Sequence, residues 1–151
     1  MTDDLSPGAP APDFDLETDG GGRIALSSLR GRKVVLYFYP KDDTPGCTAE
    51  AIAFTGLADA FAEAGTMVVG VSKDSAKSHD RFKAKHALNL VLASDPEGEM
   101  VERYGVWVEK SNYGRKYMGV ERATVLIDRE GRVAKVWRKV KVPGHADAVL
   151  E

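Results

Sequence analysis

The chain has 151 residues, with 21 basic and 23 acidic side chains for a formal charge of -2, and 43% of its residues are hydrophobic. That length suits one domain, residues 1–151, with a real core, and the mixed charge offers neither a basic face for nucleic acid nor a polybasic block for anionic lipid. No apolar run approaches a membrane span, and the acidic start Met1-Thr2-Asp3-Asp4 is unlike a secretory signal, so the expected location is the cytoplasm.

Pro7, Gly8, Pro10 and Pro12 make the first dozen residues an extended arm that cannot be helical. Phe14 and Leu16, then Ile24 and Leu26, flank the tract Asp19-Gly20-Gly21-Gly22, a pattern that predicts a small hairpin. Lys33 to Tyr39 is a nearly unbroken β-branched and aromatic run, which predicts a central strand buried on both faces and stopped by Pro40. Beyond it, Ala53, Leu57, Ala60, Phe61 and Ala64 recur at helical spacing, so one amphipathic helix is expected, ending at Gly65. Met67 to Val71 predicts another buried strand, Ser75 to Leu88 a more exposed helix around Phe82, and Leu90 to Ala93 a further strand. Asp95, Pro96 and Gly98 form a turn before a short helix ending near Tyr104. Gly105 to Gly119 reads as irregular, with Trp107, Tyr113 and Tyr117 expected to cover the core. Arg122 to Ile127 and Val133 to Arg138 flank the turn 128–131 as an antiparallel pair, and Pro143-Gly144 introduces a short helix over His145 to Leu150. The predicted class is α/β, a central mixed sheet flanked by helices with an N-terminal hairpin extension.

Cys47 is the only cysteine, which excludes an internal disulfide, a CxxC redox pair and a multi-thiolate metal site within this chain. A lone cysteine is commonly a small buried hydrophobe, so its neighbourhood must argue for chemistry. The segment Tyr39-Pro40-Lys41-Asp42-Asp43-Thr44-Pro45-Gly46-Cys47-Thr48 joins the predicted central strand to the predicted long helix, the junction at which open α/β sheets bind ligands. Thr44 as N-cap and Pro45 at the first helical position set Cys47 in the first turn, where unpaired amides and the helix dipole favour a thiolate. Gly46 would let a small linear substrate approach the backbone, although a tight turn explains it equally. His79, His86 and His145 lack ligand-like spacing and a nucleophile companion, and read as solvated. Neither a metal nor a cofactor is indicated.

Pro40-x-x-x-Thr44-x-x-Cys47 resembles the active-site motif of the peroxiredoxins, and FYPKDDTPGCTAE (Phe38 to Glu50) resembles their bacterioferritin comigratory protein or PrxQ subgroup. Further matching stretches are GVSKDS from Gly70, LASD from Leu92, YGVWVEKS from Tyr104 and VERATVLID from Val120. The resemblance implies a thioredoxin-like fold and a thiol-dependent peroxidase acting on hydrogen peroxide and organic hydroperoxides. It implies Cys47 as peroxidatic nucleophile, Thr44 offering its hydroxyl to thiolate and peroxide, Pro40 shielding the pocket, and Arg122 seated beside the sulfur. A cation there would favour the thiolate and stabilise charge on the departing oxygen. Glu50 could reach the helix start or pair with a cation. Members of this subgroup are often monomers, and a monomer is expected.

Many members carry a resolving cysteine at the position matching Ile52 or Lys83, and neither is cysteine here. Ile52 instead continues an apolar helix surface. Oxidised Cys47 is therefore expected to be resolved by an external thiol, from thioredoxin or from glutathione with glutaredoxin. The alternative roles are a peroxide sensor or relay that passes oxidation to a partner protein, a Cys/His thiol hydrolase, and a binding module that has lost catalysis.

Overall fold

Gly20, held at a φ of 73°, reverses the chain between β1 (Asp15–Thr18) and β2 (Arg23–Ala25) in the computed structural model, giving the expected hairpin. The structure describes residues 7–29, 31–112, 114–138, 140 and 144–150. The proline-rich arm lies along the turn at 128–131, where Pro10 bridges Arg132 and Ala11 donates to the Gly131 carbonyl. Next come β3 (Lys33–Phe38), α1 (Pro45–Gly56), α2 (Ala58–Glu63), β4 (Thr66–Ser72), α3 (Ala76–His86), β5 (Val91–Ser94) and α4 (Glu99–Arg103). The chain continues through β6 (Trp107–Asn112), β7 (Arg115–Val120), β8 (Ala123–Ile127), β9 (Val133–Trp137) and α5 (His145–Leu150). Pro143, expected to introduce that last helix, lies outside the described residues.

Seven strands form one mixed sheet in the order β2-β1-β5-β4-β3-β8-β9. β3 pairs parallel with β4 and antiparallel with β8, so the predicted central strand is central in fact. Its alternate residues face opposite cores. Leu36 and Phe38 join Val69, Val71, Met100, Tyr104, Val125 and Ile127 on one side. Val35 and Tyr37, with Tyr39 just beyond the strand, join Cys47, Ala51, Phe54, Phe61, Phe82 and Leu92 on the other. Helices flank this thioredoxin-like sheet, and α1 carries the cysteine onto the second core.

Two expectations differ from the fold. The expected single helix is two, α1 beginning at Pro45 and α2 ending at Glu63, with a break where Leu57 leaves helical geometry at φ −106° and ψ 9°. The break rotates the buried stripe to Ala51, Phe54 and Phe61, leaving Ala64 exposed and Ala53 and Leu57 only partly buried. The stretch 105–119 is not irregular. β6 and β7 form a two-stranded hairpin of their own, in register from Trp107 opposite Val120 to Asn112 opposite Arg115. Trp107 packs against the core under the Lys73 ammonium, as the covering role requires, but Tyr117 is 49% exposed and covers nothing. Tyr113 lies outside the described residues.

Candidate active site

The β3-to-α1 connection sets the site. Thr44, extended at φ −96° and ψ 154°, is the N-cap residue, and its carbonyl accepts the Thr48 amide at 2.8 Å to start the helix. Its side chain does not cap. The Thr44 hydroxyl donates instead to the Lys41 carbonyl at 2.9 Å, so the N-cap role expected of the hydroxyl is replaced by a bond back into the loop. Pro45 at the first helical position loses no hydrogen bond, because that amide would be unpaired anyway. Cys47 then falls in the first turn, with its residue buried to 1% exposure.

Arg122 stands immediately before β8, and the pairing of Phe38 with Ala123 brings it beside the end of β3. Its Nη2 donates to Cys47 Sγ at 3.2 Å, and its Nη1 donates to Glu50 Oε1 at 2.6 Å. Glu50 lies three residues after Cys47, so both project from the same side of α1. The planar guanidinium thus spans the sulfur and the carboxylate. Gly46 also leaves room for the guanidinium, since a Cβ there would lie 3.1 Å from Arg122 Nη2. Pro40 is exposed where the chain leaves β3.

Burial pushes the Glu50 carboxyl up to about 7, against the opposing charge and hydrogen bond of Arg122. Its Oε2 has no hydrogen-bond partner among the described residues. For Arg122 burial acts downward, but the charges of Glu50 and Cys47 outweigh it and hold the guanidinium above its ordinary value. A second cation, Lys110 of β6, stands near enough that burial first, and Arg122 next, lower its ammonium. Nothing in the sequence singled out Lys110, because its hairpin read as a loop.

The histidines are not simply solvated. His79 is fully buried, with Nδ1 2.7 Å from Asp42 Oδ2, and His145 is buried against the Thr124 hydroxyl at 2.7 Å. Only His86 keeps a surface position, 2.8 Å from Asp43. None of the three hydrogen-bonds to Cys47, and no group of metal-ligating side chains occurs among the described residues. Ile52 is 50% exposed, outside the buried stripe, and Lys83 Nζ pairs with Asp19 Oδ2 at 2.8 Å. No described helix is long and apolar enough to cross a membrane.

A lone cysteine at the start of the helix after the central strand, on a thioredoxin-like sheet and under an arginine, defines a class of thiol-based redox proteins. The chain belongs to the AhpC/TSA family, whose model matches residues 7–136. It is 49% identical over 144 residues to the peroxiredoxin Bcp of Bacillus subtilis, covering 95% of this chain and 92% of that one. A solved structure of the Xanthomonas campestris bacterioferritin comigratory protein, described in connection with its alkyl peroxide reduction, superposes with a TM-score of 0.90 at 44% identity. That match covers 96% of this chain and 95% of the other. The peroxidoxin BcpB of Mycobacterium tuberculosis matches with a TM-score of 0.85 at 34% identity, covering 97% and 95%.

Proposed function

We propose that this chain is a thiol-dependent peroxidase in which Cys47 reduces hydrogen peroxide and organic hydroperoxides and is restored by a thiol from another molecule. The observation that carries this reading is the single guanidinium of Arg122, 3.2 Å from the sulfur and 2.6 Å from Glu50. Naming of the Bacillus relative as a peroxiredoxin, and the alkyl peroxide reduction attributed to the Xanthomonas protein, support the substrate class.

The Cys47 thiolate attacks the hydroxyl oxygen of the hydroperoxide, the S–O bond forms as the O–O bond breaks, and the alkoxide or hydroxide leaves and takes a proton. Sulfur is oxidised to sulfenic acid and the peroxide is reduced to alcohol or water. Arg122 donates a charge-assisted bond to the anionic sulfur and stays in place as negative charge moves to the leaving oxygen. Thr44, whose hydroxyl donates its hydrogen bond to the Lys41 carbonyl, has lone pairs left to accept the peroxide O–H. Gly46 leaves room for the guanidinium, and Pro40 walls the opening. With one cysteine in this chain, an outside thiol condenses with the sulfenic acid, releasing water, and a second thiol frees Cys47 as the two outside sulfurs join in a disulfide.

Stopped mixing of the reduced protein with hydrogen peroxide or an organic hydroperoxide tests the reading, followed by turnover with thioredoxin against glutathione and glutaredoxin. One equivalent of peroxide should be consumed rapidly without reductant and many with one. A Cys47→Ser variant that consumed peroxide equally well would overturn the assignment.

A further inference from the structure

The loop that carries Thr44 is anchored on elements that contribute nothing else to the site. Asp42 is buried, and its Oδ1 accepts the Tyr39 hydroxyl at 2.6 Å. Its Oδ2 accepts the Ser78 hydroxyl at 2.8 Å and faces His79 Nδ1 at 2.7 Å. His79 Nε2 lies 2.9 Å from the Ala93 carbonyl on β5, and a carbonyl only accepts, so Nε2 carries a proton and the ring's direction is set. The Asp42 amide donates to Asp74 Oδ2 at 2.8 Å, and the Ser72 hydroxyl donates to that same oxygen at 2.7 Å.

The Asp42 amide and the Lys41 carbonyl belong to one planar peptide unit, in which N–H and C=O point in opposite directions. Asp74 holds the N–H side, and the carbonyl on the other side accepts the Thr44 hydroxyl. A threonine hydroxyl otherwise turns freely to suit its surroundings, so the carbonyl's direction decides whether this oxygen meets a ligand as donor or acceptor. Between the two ends sits Asp43 in the left-handed region at φ 60°, costly for a residue with a Cβ. Lys85 and His86 of α3 hold its carboxylate at 2.7 and 2.8 Å.

We propose that His79, Asp42 and Asp74 are positioning residues: they lock the Lys41–Asp42 peptide plane so that Thr44 receives a hydroperoxide as a hydrogen-bond acceptor. The inference rests on the peroxidase reading and adds to it a control from α3 and β5 that touches neither sulfur nor substrate. Its signature is selectivity among electrophiles. Peroxide needs Thr44 as acceptor, whereas alkylation by iodoacetamide needs only an accessible, ionised sulfur.

The test uses the full chain and compares the rates of peroxide reduction and of iodoacetamide alkylation at Cys47. His79→Asn puts an amide nitrogen near the Nδ1 position, where it can donate to Asp42, whereas His79→Gln puts it near Nε2, where it cannot. His79→Gln and Asp74→Ala should each lose at least about tenfold in the peroxide rate with alkylation held within about twofold, and His79→Asn should recover most of the loss. Equal losses in both rates, or equal behaviour of the two His79 variants, would overturn the proposal. Hydrogen exchange of the Asp42 amide gives an arm independent of activity. The amide should be slow in the unaltered protein and in His79→Asn and fast in His79→Gln, and an amide already fast in the unaltered protein would sink the idea even if a variant failed to fold. Were the unaltered protein itself inert to peroxide, the peroxidase reading would fall while the exchange arm still decided whether the peptide is locked.

Discussion

Glu50 is an acid kept from solvent on one side and held by Arg122 on the other. Its carboxyl titrates near 7 instead of its usual 4.5, because burial outweighs the arginine. The native state therefore keeps the proton over a range where the unfolded chain has lost it. The stability so gained is complete below the unfolded value and is withdrawn as pH rises through about 7. Ionisation also changes how much of the guanidinium charge is shared away from the sulfur. A profile of the peroxide rate between about pH 5.5 and 8.5 should show an inflection near neutrality that Glu50→Gln removes. Survival of that inflection in the variant would assign it to another group. Arg122→Lys tests the neighbouring side chain, since lysine keeps the charge but cannot span two partners with a planar fork. The expected loss in the peroxide rate is about a hundredfold, and a lysine variant near full activity would mean that charge alone suffices.

At the scale of elements, β3 carries a built-in imperfection. The Tyr37 hydroxyl is buried without a hydrogen-bond partner among the described residues, and burial, with the charges of Glu50 and Cys47, holds the phenol well above its ordinary value. Gly70 on β4 makes room for it, since a Cβ there would sit 2.7 Å from the Tyr37 ring. Tyr37→Phe removes an unsatisfied group while keeping the ring stacked on Phe54, so thermal or denaturant melting should show a variant at least as stable, by up to about 1 kcal/mol. A clear loss of stability would reveal a hidden partner for the hydroxyl. The elements that sequence patterns predict well are those with one-sided or two-sided burial: β3, β4 and β8 carry apolar runs because the sheet covers them. β6 and β7 escaped because Trp-Val-Glu-Lys-Ser-Asn and Arg-Lys-Tyr-Met-Gly-Val have no clean alternation, and a two-stranded ribbon outside the main sheet buries too little to impose one. His79 escaped for a different reason. Its helix neighbours Lys77, Asp80 and Arg81 mark a wet surface, and its partner Asp42 lies 37 residues earlier, a pairing that only the folded chain discloses. Cys47, Thr44, Pro40 and Arg122 were singled out by the family pattern, and Gly46 and Glu50 by their places beside the cysteine; the fold brings Gly46, Cys47, Glu50 and Arg122 together. Two local contacts were not legible: Gly46 leaves room for Arg122, and the Thr44 hydroxyl turns to the Lys41 carbonyl instead of capping the helix.

For the molecule as a whole, the absence of a second thiol has a chemical cost. Ile52 and Lys83 occupy the two positions where the family resemblance implies a resolving cysteine in many members, one half-exposed and the other tied to Asp19. In the proposed cycle a sulfenic acid with no second thiol in its own chain would wait for a diffusing thiol, and a second peroxide would compete for it meanwhile. Intact-mass measurement under rising peroxide and scarce reductant should therefore show the sulfinic form accumulating at Cys47. Its persistent absence would point to protection of the oxidised sulfur within the folded chain.

The bond between Arg122 and Cys47 joins residues 75 positions apart, and β8, which brings the arginine in, enters the sheet only by pairing with β3. A ribosome extending the polypeptide by about 5–20 residues per second leaves the newly made thiol without its cation for several seconds. Throughout that interval the emerging thiol lacks its charge partner, and the surroundings of Cys47 are completed only when β8 docks beside β3.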